Sequence, residues 1–148
     1  MMNELILIVE DSDDDYEVTL RALKKNCNFK NAIYRCETGQ EAIDYIGKTG
    51  KYKTQPAPIP SVILLDLNMP GKDGRDVLRY IKSSKEYKSI PVVILTTSSD
   101  ERDVVQCYEL GANTYIVKPV DFDKFIAAIR SLNEYWFKIA ILPKRDIQ

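Results

Sequence analysis

Residues 62–74 read VILLDLNMPGKDG, and the fold is decided here. Four apolar residues, Val62, Ile63, Leu64 and Leu65, run without alternation into a carboxylate at Asp66. An unbroken apolar run of this length predicts a strand covered on both faces, as in a parallel sheet between layers of helices. Strand three is therefore expected over 62–66, with Asp66 at its carboxyl end. Pro70-Gly71 and Asp73-Gly74 then turn the chain. Val77, Leu78 and Ile81 follow at helical spacing.

Working outward, the same unit recurs. Leu5–Val9 is expected as strand one, and Asp13 as the N-cap of a helix carrying Tyr16, Leu20, Leu23 and Cys27 on one stripe. Ala32–Cys36 reads as a weaker second strand, and the helix after Gly39 faces Ala42, Ile43 and Ile46 inward. Pro91 opens strand four, Val92–Thr96. Asp100 caps a helix that stops at Leu110-Gly111. Strand five spans 114–118 and is blocked by Pro119. A last helix over about 121–137 is expected to bury Phe122, Phe125, Ile126, Ile129 and Leu132. Repeated β-α units imply an α/β fold, a three-layer open parallel sheet with right-handed crossovers. Ligands bind such sheets beyond the carboxyl ends of the strands. The segment 47–60, GKTGKYKTQPAPIP, reads as an exposed connector or a partner-specific contact.

Composition narrows the possibilities. The chain has 148 residues, 45% of them hydrophobic, which suits a single domain over 1–148 with its core at about 4–132 and an aromatic extension over 133–148. Charges nearly cancel, at 21 basic against 22 acidic, so no basic field argues for nucleic acid. The apolar runs are too short to span a bilayer, and the start of the chain carries no basic leader, so a cytoplasmic protein without a membrane segment is expected. Cys27, Cys36 and Cys107 are odd in number and widely spaced, as free thiols are. The absence of histidine weakens every His-based hypothesis, Ser-His-Asp catalysis and His-ligated zinc included.

If the strands are parallel, Glu10, Asp11, Asp66, Thr96 and Lys118 all gather at one rim. No structural need places three carboxylates together, and they would raise one another's pKa. A divalent cation relieves that repulsion, and oxygen-only ligands favour Mg²⁺ over Zn²⁺. A carboxylate beside such a cation and a lysine is placed to attack phosphorus, with the two positive charges and the Thr96 hydroxyl stabilising the transferring group. The product, an acyl phosphate, hydrolyses readily and suits a temporary signal.

These residues resemble the response-regulator receiver family. The match rests on Glu10-Asp11, Asp66 within LLDLNMPGKDG, Thr96 within PVVILTTS, Tyr115, and Lys118-Pro119 within YIVKP, in order over residues 5–132. The resemblance implies a flavodoxin-like (βα)5 sheet in strand order 2-1-3-4-5 and a phosphoacceptor role for Asp66. It implies Mg²⁺, or Mn²⁺, on Asp11, Asp66 and the backbone carbonyl of Asn68, with Glu10 acting through water. Lys118 would pair with Asp66 or the phosphoryl group. Thr96 and Tyr115 would form the switch, Tyr115 turning inward as Thr96 moves. The phosphodonor would be a histidine kinase. Glu10-Asp11 departs from the Asp-Asp pair of many relatives by one methylene. The long segment before strand three, LTTS, and the tail with Glu134, Tyr135, Trp136 and Phe137 resemble the small regulators of phytochrome-type kinases.

About thirty residues after strand five leave no room for a DNA-binding output domain, so signalling by protein contact is expected. The aromatic tail and the helix four–strand five–helix five side are expected to form a homodimer. Two rivals stand beside this reading. A Mg²⁺-dependent phosphatase with an Asp nucleophile needs a second Asp where Asn68 stands. A degenerate receiver acting as a passive binding module would have no use for all five chemical positions. No separate enzymatic substrate is expected.

Overall fold

A computed structural model of the chain describes residues 4–27 and 29–143. Five parallel strands, β1 (Leu5–Val9), β2 (Ala32–Cys36), β3 (Val62–Leu65), β4 (Val92–Thr96) and β5 (Thr114–Val117), pair in the order β2-β1-β3-β4-β5. Between and after them lie α1 (Asp13–Arg21), α2 (Gly39–Gly47), α3 (Gly74–Lys82), α4 (Glu101–Leu110) and α5 (Phe122–Glu134). This is the expected flavodoxin-like order.

Strand alternation divides the core in two. Leu5, Leu7, Val9, Ile63, Leu65, Val92 and Ile94 point to the side covered by α2, α3 and α4. Ile6, Ile8, Val62, Leu64, Val93 and Leu95 point to the side of α1 and α5. The helices start on side-chain caps as the sequence requires: Thr38, Asp73, Asp100 and Asp121 each accept from a backbone N–H of the first turn. For α1 the cap is Ser12 rather than Asp13, because its hydroxyl reaches the Asp15 N–H and leaves Asp13, Asp14 and Asp15 in the first turn, where the helix dipole favours them. Gly111 ends α4 at φ 108°, a conformation a side chain would resist.

Three expectations are corrected. Phe122 is not buried but 54% exposed, since it occupies the first position of α5, outside the apolar stripe of Phe125, Ile126 and Ile129. The segment after α2 is not a loose connector: Tyr52, on a 3-10 turn (Gly50–Lys53), is buried against Tyr34 and Tyr45, and the Tyr45 hydroxyl donates to the Pro58 carbonyl. The tail is only partly free. Beyond α5 the chain tightens into a π turn (Tyr135–Ile139). Phe137 then meets Phe29 edge-on at 5.0 Å, while Tyr135, Ile139 and Ile141 stay exposed. Residues 144–148 of the expected extension lie outside the described residues.

Gly74, the first residue of α3, lies directly against the phosphoacceptor candidate. A Cβ there would stand 2.2 Å from the Asp66 carbonyl oxygen and 2.7 Å from Leu67 Cα. Both are backbone atoms and cannot swing away. Gly74→Ala should therefore destabilise the protein by about 1–3 kcal/mol. Thermal unfolding should show a drop of several degrees; an unchanged midpoint would mean that α3 shifts freely.

Candidate functional site

Parallel strands bring the ends of β1, β3, β4 and β5 to one rim. Glu10 and Asp11 follow β1, Asp66 follows β3, Thr96 ends β4 and Lys118 follows β5. Carboxylate oxygens of Glu10, Asp11 and Asp66 lie within 4.8 Å of one another. Glu10 and Asp66 are buried, while Asp11 is exposed. All three residues converge as their strand-end positions require.

Lys118 is the cation at the centre of this set. Its ammonium donates to Glu10 Oε1 at 2.7 Å and to Asp15 Oδ2 at 2.9 Å, and stands 3.8 Å from Asp66 Oδ2. The expected pairing with Asp66 is therefore the longest of its three ion pairs. Asp15 was not anticipated: the run SDDDY places three carboxylates in the first turn of α1, and only the seating of that helix on the sheet decides which of them meets Lys118.

The charges do not balance inside the pocket. Burial pushes the Glu10 carboxyl up to about 7, and the charge of Asp66 adds to the rise, against the opposing hydrogen bond and charge of Lys118. Burial would lower Lys118, but its bonds to Glu10 and Asp15 and the nearby charges outweigh this and hold it above its usual range. One lysine serving several carboxylates leaves the pocket short of positive charge. An oxygen-only set with that deficit fits a hard divalent cation.

Thr96 is fully buried, and its hydroxyl accepts from the Asn68 side-chain amide at a long 3.4 Å. The Asn68 backbone N–H reaches Asp66 Oδ1, also at 3.4 Å. Tyr115 already lies inward. Its ring packs on the core under α4, and its hydroxyl donates to the Ser98 carbonyl at 2.9 Å. Arg35, also unanticipated, anchors the β1–α1 turn: its Nε donates to the Glu10 carbonyl and its Nη1 to Asp13, with the guanidinium over the Tyr16 ring. Its Nη2 is buried with no hydrogen-bond partner among the described residues. An arginine on a short strand gave no local hint of this, because its partners come from the far side of a turn.

Comparison with known proteins agrees with this geometry. Response regulator Rcp1 of Synechocystis sp. is 36% identical over 95% of this chain and 93% of its own length. The crystal structure of the phosphorylated cyanobacterial phytochrome response regulator RcpA superposes with a TM-score of 0.88 at 36% identity, covering 97% of this chain and all of that one. The Mn²⁺-bound form of Rcp1 gives 0.87 at 36% identity, covering 95% and 99%. The response regulator receiver domain matches residues 6–130, which span every rim position described above. With strand order, rim residues and relatives in agreement, the chain belongs to the receiver domains of response regulators in two-component signalling.

Proposed function

We propose that Asp66 is the phosphoacceptor of this receiver. The convergence of Glu10, Asp11 and Asp66 within 4.8 Å, beside buried Lys118, carries the reading. Asp11, Asp66 and the Asn68 backbone carbonyl would hold Mg²⁺ or Mn²⁺, with Glu10 assisting through water. When bound, the cation supplies neutralising charge for the acidic pocket and for the phosphoryl oxygens.

The rest of the chemistry belongs to the chain. An Asp66 carboxylate oxygen forms the new O–P bond as the bond from phosphorus to the kinase's imidazole nitrogen breaks. The imidazole leaves with that electron pair. Lys118, held 3.8 Å from Asp66, swings onto a phosphoryl oxygen and stabilises its charge. Thr96 exchanges its long contact with Asn68 for a second phosphoryl oxygen. Ser98, two residues on, moves with it and carries the signal to Tyr115 through the carbonyl–hydroxyl bond.

The phosphodonor is a histidine kinase of the phytochrome type; the likeness to the phytochrome response regulator RcpA, which covers 97% of this chain, supports this. The receiver takes the phosphoryl group onto its own Asp66 rather than passing it to a separate substrate. Its output is a protein contact. Val105 and Tyr108 on α4, Val117 on β5, and Tyr135, Ile139 and Ile141 beyond α5 are large apolar residues left exposed, which supports a homodimer. The free cysteines, two of them buried, suit a reducing cytoplasm. Among the described residues no helix is long and apolar enough to cross a membrane.

Incubation with acetyl phosphate and Mg²⁺ should add one phosphoryl group to the wild type, read by intact mass, and none to Asp66→Asn. Labelling of that variant would move the acceptor elsewhere. In light scattering the wild type should weigh twice its 17.0 kDa chain mass at micromolar concentration, and Tyr135→Lys with Ile139→Lys should return it to the monomer at an unchanged unfolding midpoint. A wild type that stays monomeric throughout would remove the dimer.

A further inference from the structure

Two segments that flank the phosphoacceptor site, the starts of α3 and α4, meet at a guanidinium that does not touch the site. Arg75, the second residue of α3, reaches in three directions. Its Nη1 contacts Asp73 at 3.3 Å, its Nε donates to Gln106 Oε1 at 2.9 Å, and its Nη2 pairs with Asp103. Asp103, in the first turn of α4, also accepts from the Ser98 hydroxyl at 2.5 Å. The Ser98 carbonyl holds the Tyr115 hydroxyl.

This is not an ordinary surface pair. The Arg75 and Asp103 side chains are 21% and 24% exposed, against 91% and 42% for the neighbouring Arg102–Asp100 pair. Asp103 is held below the usual carboxylate range by the Ser98 hydroxyl first and by Arg75 next. A planar fork that engages partners on two helices fixes their relative position, which a single flexible ammonium cannot do. On its other side α3 is seated on the acceptor: Gly74 N–H donates to the Leu67 carbonyl and Gly74 abuts the Asp66 carbonyl.

We propose that Arg75 is a positioning residue for the phosphoryl site, fixing the β4–α4 turn through Asp103 and Ser98 so that Thr96 and Tyr115 stay in register with Asp66. The inference rests on Asp66 being the acceptor. Without the fork, α3 and α4 would still fold, but the turn 97–100 would sample positions in which Thr96 is misplaced. Phosphorylation would then proceed only from the competent fraction, and its rate would fall by that fraction.

The test uses the full chain, acetyl phosphate and Mg²⁺, with initial labelling rates from intact mass and hydrogen exchange of the turn in the unlabelled protein. Arg75→Ala and Asp103→Ala should each slow labelling roughly five-fold, the scale of a modest coupling between sites. The double variant should be no slower than either, because both remove the same link. Exchange of the turn should rise in all three. Arg75→Lys, which keeps the charge and the fold but loses the fork, should fall between wild type and Arg75→Ala. Arg102→Ala should match the wild type in both readouts. Labelling rates within two-fold of wild type in the single variants would overturn the role, as would losses that add in the double variant or an equal loss in Arg102→Ala. A wild type that takes no label would instead remove the Asp66 reading and the positioning role with it, whereas a labelled wild type with equally labelled variants removes only the latter.

Discussion

At the rim of the sheet a buried ammonium is shared among carboxylates that outnumber it. Lys118 lies between Glu10 and Asp15 at hydrogen-bond distance and Asp66 at 3.8 Å. Desolvation penalises the Glu10 and Lys118 charges. Such a cluster is poor material for stability alone. It persists because the strands that carry it are held by two apolar layers, one on each face, which contribute the favourable burial that the charged rim does not.

The scaffold also limits how the rim can respond. Asp66 is fixed from below by α3, since Gly74 leaves no gap under its carbonyl. The β1–α1 turn is tied by Arg35 to Glu10 and Asp13. The β4–α4 turn is tied through Ser98 to Asp103 and Tyr115. With fixed acids on one side and a tethered turn on the other, charge added to Asp66, as proposed, would be met by movement of Lys118 and of the turn. That movement would reach α4 and β5, where the Tyr108 hydroxyl oxygen accepts from the Tyr115 N–H. Chemistry at the rim and exposed apolar surface on the α4–β5–α5 flank are thus linked through a short run of hydrogen bonds.

Where local reading failed, it failed on residues whose environment comes from elsewhere in the chain. Phe122 has an apolar side chain, but at the first position of α5 it lies outside the stripe that meets the sheet and is left exposed. Tyr52 stands among lysines and prolines, yet Tyr34 and Tyr45 from β2 and α2 supply an aromatic wall that buries it, with Glu41 accepting from its hydroxyl. Phe137 falls off the helical stripe of α5 and is nonetheless covered, because the π turn rotates it toward Phe29. Periodicity describes one element at a time and is blind to such partners.

The sequence by itself determined the number of the strands, the Asp100 cap and Gly111 stop of α4, and the five rim residues, because unbroken apolar runs and strand-end carboxylates are local signals that parallel topology turns into one site. Its motifs also identified the family. Only the tertiary structure decided how the charges are shared: that Lys118 bonds Glu10 and Asp15 more closely than Asp66, that Tyr115 lies inward on Ser98, and that Arg75 and Arg35 bind the turns around the site. Those pairings join residues 17 to 108 positions apart or across a turn, and their geometry is set by the packing of helices on the sheet rather than by any neighbour in the chain.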